Sequence, residues 1–320
     1  MGSKVDTITL VIPCYNEEES IPLFLDVVQS VEIDCRIEYV FVDDGSTDDT
    51  LKVLRSVATE KKSEIRYLSF SRNFGKEAAL LAGLWVAKGE YIAVMDADLQ
   101  DPPALLPAMY QRLKSGEVDY VATRRTTRKG EPLIRSLFAK TFYKLINRIS
   151  DVQMIDGARD YRLMSRQMVA AILQMKEYNR FSKGLFNFVG FKGDYIAYEN
   201  IERVAGTTSW NFWGLFKYSI EGIVAFSIKP LILASLLGLM FFLLSLVGIA
   251  IIIGRYLLMG DPVQGWASIV VILLFTSGTI LFTNGILGQY LAKIYLEVKS
   301  RPIYIIKEDS LSDREDMNVR

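Results

Sequence analysis

Along the first 125 residues, short unbroken runs of Val, Ile, Leu and Phe take turns with segments whose apolar positions recur at helical spacing. The runs predict strands at Thr7–Pro13, Ile37–Val42, Ile65–Phe70, Tyr91–Met95 and Val118–Thr123. The periodic segments between them predict helices at Ser20–Val31, Asp48–Thr59, Lys76–Ala87 and Pro103–Lys114. Strands without polar alternation are covered on both faces, so the pattern implies an α/β fold of βαβ units around a mostly parallel sheet. In such sheets ligands bind beyond the carboxyl ends of the strands. The polar clusters Tyr15-Asn16-Glu17-Glu18, Asp43-Asp44-Gly45-Ser46, Ser71-Arg72-Asn73 and Asp96-Ala97-Asp98 all fall at such ends.

Beyond residue 124 the pattern is mixed. A basic stretch, Arg124 to Lys129, leads into a helical pattern at Leu133–Ile149 and a polar segment around Asp156–Arg162. After Gly206-Thr207-Thr208-Ser209, which suits a helix cap, Trp210, Trp213, Lys217 and Ile220 share helical spacing, and Phe212, Phe216 and Ile223 widen the apolar face. That segment predicts an amphipathic helix in a membrane interface. Ile228–Gly254 and Trp266–Leu291 are each long enough to cross a hydrocarbon core of about 30 Å, and a turn with Gly260-Asp261-Pro262 joins them. Two such spans in tandem predict a transmembrane hairpin. Basic residues precede the first span, and Lys293, Lys299, Arg301 and Lys307 follow the second, so both termini are expected on the cytoplasmic side. Arg301–Lys307 predicts a short strand, pairing with the first domain or with a neighbouring copy.

Composition narrows the chemistry. Lys and Arg number 37 and so do Asp and Glu, which gives no field for nucleic acid. The chain has no histidine, which removes imidazole acid–base catalysis, Ser-His-Asp and Cys-His nucleophiles and histidine metal sites. Cys14 and Cys35 are too few for a disulfide framework or a thiolate zinc site, in keeping with a reducing, cytoplasmic setting. Met1–Lys4 runs into the first strand with no apolar signal region.

Carboxylates, cations and backbone dipoles must therefore carry any reaction. Asp96 and Asp98 flank the small Ala97 at a strand end and can face one hard cation, with Gln100 adding a neutral oxygen. Oxygen ligands of this kind suit Mg²⁺ or Mn²⁺ shared with the phosphates of a nucleotide. Asp43 and Asp44 can accept from a pyrimidine N–H or a ribose hydroxyl, while Ser46 or Asp48 caps the next helix. Tyr15 offers a stacking surface and Glu17 a second hydroxyl acceptor. Arg72, Asn73 and Lys76 open a helix where dipole and charge favour phosphate or sugar oxygens.

Four segments together resemble the family 2 glycosyltransferases of the GT-A, Rossmann-like fold: Ile12 to Glu18, Val42 to Ser46, Arg72 to Lys76, and Asp96 to Pro103. The resemblance is closest to the polyprenyl-phosphate glycosyltransferases, which include dolichol-phosphate mannose synthases and the bacterial undecaprenyl-phosphate glucosyltransferases. The latter also carry two C-terminal membrane helices, so most of the chain is covered. Asp160-Tyr161-Arg162-Leu163-Met164 is similar to that group's Asp-Phe-Arg-Leu-Met segment.

The resemblance implies a GT-A domain at 1–205, a juxtamembrane helix at 206–227, two membrane helices within 228–292 and a cytoplasmic strand and tail at 293–320. It further implies metal-dependent, inverting transfer of one hexose from a nucleotide sugar to a polyprenyl phosphate at the inner or plasma membrane. Glucose from a UDP donor comes first; mannose from GDP, N-acetylglucosamine and an amino-arabinose follow. Pro13, Tyr15, Glu17 and the Asp43/Asp44 pair would hold the nucleoside, and Asp96, Asp98 and Gln100 the metal. Asp156 or Asp160 would orient the acceptor or offset charge on the sugar, or else serve as a loop cap or a partner of Arg159 or Arg162. Arg124, Arg125, Arg128, Arg135 and Arg203 would meet the acceptor phosphate, or attract anionic headgroups. Many relatives have Ser-Lys where this chain has Thr208-Ser209, which leaves Arg203 as the substitute cation.

The chain has no Gln-x-x-Arg-Trp segment of the processive synthases, which points to a single transfer. Two other readings stand beside it: a non-catalytic membrane scaffold or lipid translocator, and nucleotidyl transfer. Intact Asp43, Asp44, Asp96 and Asp98 argue against the scaffold, and released UDP would exclude nucleotidyl transfer. The hairpin and an exchanged C-terminal strand offer two routes to a homo-oligomer.

Overall fold

The computed structural model describes residues 5–61, 64–126, 147–148, 155, 157–199, 222–259 and 265–311. Arg128, Arg135, Asp156, Arg203, most of the helix expected at Leu133–Ile149, the interfacial helix up to residue 221 and the turn at 260–264 lie outside the described residues.

The alternating half folds as its pattern predicts. Strands β1 (Thr7–Cys14), β2 (Arg36–Asp43), β3 (Ile65–Phe70) and β4 (Tyr91–Val94) are linked by helices α1 (Ser20–Gln29), α2 (Thr50–Glu60) and α3 (Lys76–Val86). The helix expected at Pro103–Lys114 is a 3₁₀ turn, Pro103–Leu105, followed by α4 (Leu106–Lys114), and β5 spans Tyr120–Arg125. β1 pairs in parallel with both β2 and β4, and β2 with β3, so four strands release their loops at one edge.

Side-chain alternation divides the core. Ile8, Leu10 and Ile12 of β1 face Phe24, Phe41 and Tyr110 on one side, while Val11 faces Val42, Ala79 and Leu84 on the other. α3 lies close on that second face, where a Cβ on Gly83 would come within 2.2 Å of Val11 Cγ1. Only a residue without a side chain fits there.

The segment after residue 157 holds elements that the pattern does not predict. β6 (Ala158–Ser165), α5 (Arg166–Gln174), α6 (Ser182–Phe188) and β7 (Gly193–Tyr198) follow in order. β6 enters antiparallel between β4 and β5, and β7 adds to β5 in parallel, giving a mixed sheet of order β7-β5-β6-β4-β1-β2-β3 with one further strand beyond β3.

α7 (Lys229–Met259) and α8 (Trp266–Val298) contain spans of mean hydropathy 2.6 and 1.3 that are long and apolar enough to cross a membrane. They pack through Phe241 and Phe275, whose ring centroids are 5.1 Å apart. α8 runs past Leu291, where the apolar pattern ends, and this extension reaches the first domain. Lys293 Nζ donates to Asn179 Oδ1 at 3.0 Å, and Glu297 Oε1 accepts from the Tyr178 and Asn179 N–H groups at 2.8 and 3.2 Å.

The chain then turns back to form β8 (Ile306–Asp309), antiparallel to β3 of the same chain. The strand starts later than the expected Arg301–Lys307. Pro302 has no N–H for a ladder, whereas Glu308 and Asp309 find two-pronged partners in Arg55 and Arg66.

Candidate active site

The loops at the sheet edge are sewn together by hydrogen bonds. After β1, Asn16 takes a left-handed conformation (φ 56°), its N–H donates to Ser46 Oγ at 3.0 Å, and its Oδ1 accepts from the Thr47 N–H at 2.8 Å. The Glu17 N–H donates to Thr50 Oγ1 at 2.8 Å. Asp48 Oδ1 accepts from the N–H of Thr50, the first residue of α2, at 3.1 Å, ahead of the N-cap Asp49, whose own side chain makes no capping bond. Ser46 serves the β1 loop. Tyr15 is exposed beside this seam, and Pro13 and Glu17 are half-buried in it.

Asp43 and Asp44, expected to meet a nucleoside, are buried. Asp43 Oδ1 accepts from the Ser46 N–H at 2.9 Å and Oδ2 from Ser69 Oγ at 2.7 Å. Asp44 reaches the next loop, accepting from the N–H groups of Phe74 at 2.6 Å and Gly75 at 2.8 Å. Burial raises the Asp44 pKa above the ordinary carboxylate value, and those two N–H groups offset part of the rise. Gly45, at φ 67°, lets the two loops touch: a Cβ there would lie 2.4 Å from the Arg72 carbonyl carbon. Arg72 itself points outward, its guanidinium 4.7 Å from the centre of the Phe74 ring.

At the end of β4, Leu99 holds φ 56° while nearly buried, so the turn carrying Asp96 and Asp98 is fixed in a conformation that bulky residues seldom adopt. Asp98 Oδ1 accepts from the Gln100 N–H at 3.1 Å. The Gln100 side chain, expected as a third metal ligand, instead turns its Oε1 to Arg159 Nη2 at 3.2 Å. Among the described residues no group of three or more acidic or thiolate side chains forms a closed metal cage. The oxygen donors of Asp96 and Asp98 have the chemistry that suits a hard divalent cation whose shell phosphate oxygens would complete.

β6 supplies the opposite wall. Its register with β4 ends on the pair Val94 and Arg162, and just beyond that end Asp96 and Asp160 come to one cation. Lys76, from the first turn of α3, stands between them, 2.7 Å from Asp96 Oδ1 and 2.7 Å from Asp160 Oδ2. Burial works against ionised Asp160, but Lys76 above all, with Lys183 and Arg162, outweighs it and holds the carboxyl far below its ordinary range. The partner of Asp160 is thus Lys76 rather than either neighbouring arginine.

Arg159 pairs with Asp101, Nε to Oδ1 at 2.9 Å, and the Tyr198 hydroxyl donates to the same oxygen. Asp101 is 1% exposed, and burial raises its pKa against the pull of Arg159. Arg162 is buried with its guanidinium 3.7 Å from the Phe186 ring centre, and Glu77 caps α6 by accepting from the N–H and hydroxyl of Ser182. Asp101, Glu77 and Ser182 escaped the sequence reading. Only Asp101, next to Gln100 in the Asp96–Pro103 run, carried a signal. Arg124 and Arg125 end β5, where the Arg125 N–H donates to Gly157 O at 2.9 Å, just before β6.

The profile of glycosyl transferase family 2 matches residues 9–173. A Bacillus subtilis protein named as a glycosyltransferase, CsbB, is 41% identical over 98% of this chain and 94% of its own. The SfII prophage-derived bactoprenol glucosyl transferase of Shigella flexneri is 40% identical over 94% of this chain and 97% of its own. Among solved structures, the mannosyltransferase PcManGT of Pyrobaculum calidifontis, in complex with GDP-Man and Mn²⁺, superposes with a TM-score of 0.51 at 17% identity, covering 92% of this chain and 86% of that one. That last similarity speaks to the fold.

Proposed function

The chain belongs to glycosyl transferase family 2, and from that premise we propose that it moves one glucose from UDP-glucose to the phosphate of a polyprenyl lipid at the cytoplasmic face of a membrane. The observation that carries this reading is the site of Asp96, Asp98 and Asp160 in a domain tied by β8 to two long apolar helices. Relatives named bactoprenol glucosyl transferases, about 40% identical along nearly the whole chain, support the lipid and the sugar.

In this reading Asp96 and Asp98 would hold a Mg²⁺ or Mn²⁺ ion, which would supply positive charge against the negative charge of the leaving diphosphate. Tyr15, Pro13 and Glu17 line the nucleoside side. Asp43 and Asp44 act mainly by shaping that loop, since their oxygens already accept from Ser46, Ser69, Phe74 and Gly75. Arg72 lies outermost and meets the donor from the solvent side.

An oxygen of the acceptor phosphate attacks the anomeric carbon as the bond to UDP breaks, so a single displacement inverts that centre. The nucleophile is already an anion at neutral pH. No strong general base is required, which accords with a chain that lacks histidine. Asp160, ionised and held by Lys76, offsets positive charge on the sugar or orients the acceptor, with Asp156 as the other candidate. Arg124 and Arg125, with Arg128, Arg135 and Arg203, bring the lipid phosphate in against the negative charge of the donor. α7 and α8 cross the membrane as a hairpin, leaving both termini and the site on the cytoplasmic side.

Transfer from radiolabelled UDP- and GDP-sugars to undecaprenyl phosphate by detergent-purified protein tests the proposal. Label in the lipid phase from UDP-glucose, dependent on Mg²⁺ or Mn²⁺, is expected. Label from another donor would overturn the sugar assignment. No lipid label from any donor, with folded protein, would overturn the acceptor.

A further inference from the structure

Asp96 follows β4 and Asp160 lies in β6, the strand that pairs antiparallel with β4, and both carboxylates lie within 2.7 Å of Lys76 Nζ. Two carboxylates so placed repel unless a positive charge lies between them. Lys76 is that charge. Its Nζ touches both oxygens of Asp96, Oδ1 at 2.7 Å and Oδ2 at 2.9 Å, as well as Asp160 Oδ2. The lysine side chain is 41% exposed and that of Asp96 26%, so the bridge stands at the rim of the cleft, open to an arriving ion.

A divalent cation on Asp96 needs the oxygens that Lys76 now occupies. We propose that Lys76 is a built-in counter-cation. It keeps Asp96 and Asp160 in place while the divalent ion is absent, then yields Asp96 and retains Asp160 when the ion arrives. The flexible four-carbon stem lets the ammonium move without a change in the backbone. Asp160 keeps a cation in both states, so its charge and position carry through the exchange.

The inference rests on the metal reading given above and assigns Lys76 a positioning role. It also makes metal and donor cooperative. The ion alone must displace an existing ion pair and binds weakly, whereas an ion already carrying the donor diphosphate makes additional contacts that offset the loss.

The test is a Mn²⁺ titration of the full chain in detergent, read by the electron paramagnetic resonance of free Mn²⁺, with and without UDP. Lys76→Met keeps the stem and removes the charge. It should bind Mn²⁺ about ten-fold more tightly than the unaltered protein in the absence of UDP, and UDP should improve that binding less. Lys76→Arg, which keeps the charge, should bind Mn²⁺ no more tightly than the unaltered protein. Structural damage would weaken binding, so tighter binding separates exchange from misfolding. If the unaltered protein binds Mn²⁺ with UDP but Lys76→Met binds it equally or less tightly without UDP, the counter-cation role is overturned while the metal reading stands. If the unaltered protein binds no Mn²⁺ even with UDP, the metal reading itself falls, and this inference with it.

Discussion

The carboxylate of Asp44, at the end of β2, holds the backbone N–H of Gly75, one residue before α3, at 2.8 Å. With the matching bond from Phe74, this fixes the loop that delivers Lys76 to Asp96 and Asp160. Removing a buried acceptor leaves two N–H groups without their partner. Asp44→Ala should cost about 2–3 kcal/mol of stability and weaken donor binding together. Glu17→Ala, in the neighbouring loop, should raise the KM for the donor and leave thermal unfolding unchanged. Thermal denaturation beside donor kinetics separates the two, and an Asp44 variant with unchanged melting would remove its structural role.

Gly45 tests the same seam from the other side. A methyl group there meets the Arg72 backbone at 2.4 Å in a left-handed conformation, so the β2 and β3 loops must part. Gly45→Ala should lower donor affinity by about ten-fold or more, at a stability cost of about 1–3 kcal/mol. Isothermal titration with UDP checks it.

Asp96→Ala and Asp98→Ala should each reduce transfer by about a thousand-fold or more, and chelation should do the same to the unaltered protein. Elution in gel filtration should not change, because both carboxylates are only partly buried and lie outside the apolar core. Transfer that persists in these variants under chelation would overturn the metal assignment.

Hydrogen bonds from Arg55 depress the Glu308 pKa to about 2, with Tyr67 adding a smaller contribution. The folded value lies below the ordinary 4.5, so the stabilisation is complete above about pH 4.5 and fades as pH falls toward 2. Amide protection factors at Tyr67 and Ser69, on the strand facing β8, corrected for intrinsic exchange, should fall across that window. In Glu308→Gln, protection at those amides should be lower at neutral pH and much less sensitive to acid.

Legibility in the sequence followed the local environment of each element. The elements from β1 to β4 show in the pattern because both sheet faces are covered, and their bounds shift by only a residue or two. β6 stays hidden because Ala158, Arg159 and Asp160 line the site, so its first half reads as a loop. β8 is displaced in the reading because its acidic residues answer Arg55 and Arg66 across an edge, a pairing that periodicity does not register. In the site, Asp96 and Asp98 are readable from a strand end. The place of Lys76 is not, since it depends on an antiparallel register between segments more than sixty residues apart.

The strand β8 closes a loop in the chain. The polypeptide leaves the sheet domain, passes through two apolar helices and is bonded back onto the edge of the same sheet, while the Tyr290 hydroxyl donates to Ser227 O just ahead of α7. A body attached to a bilayer by a single linker can roll and pitch. One fastened at two separated points keeps only the swing about the line that joins them. On the function proposed above, with α7 and α8 in a bilayer, this fastening holds the loops around Asp96 at a set height over the lipid, where a long, slack isoprenoid finds the site by lateral diffusion.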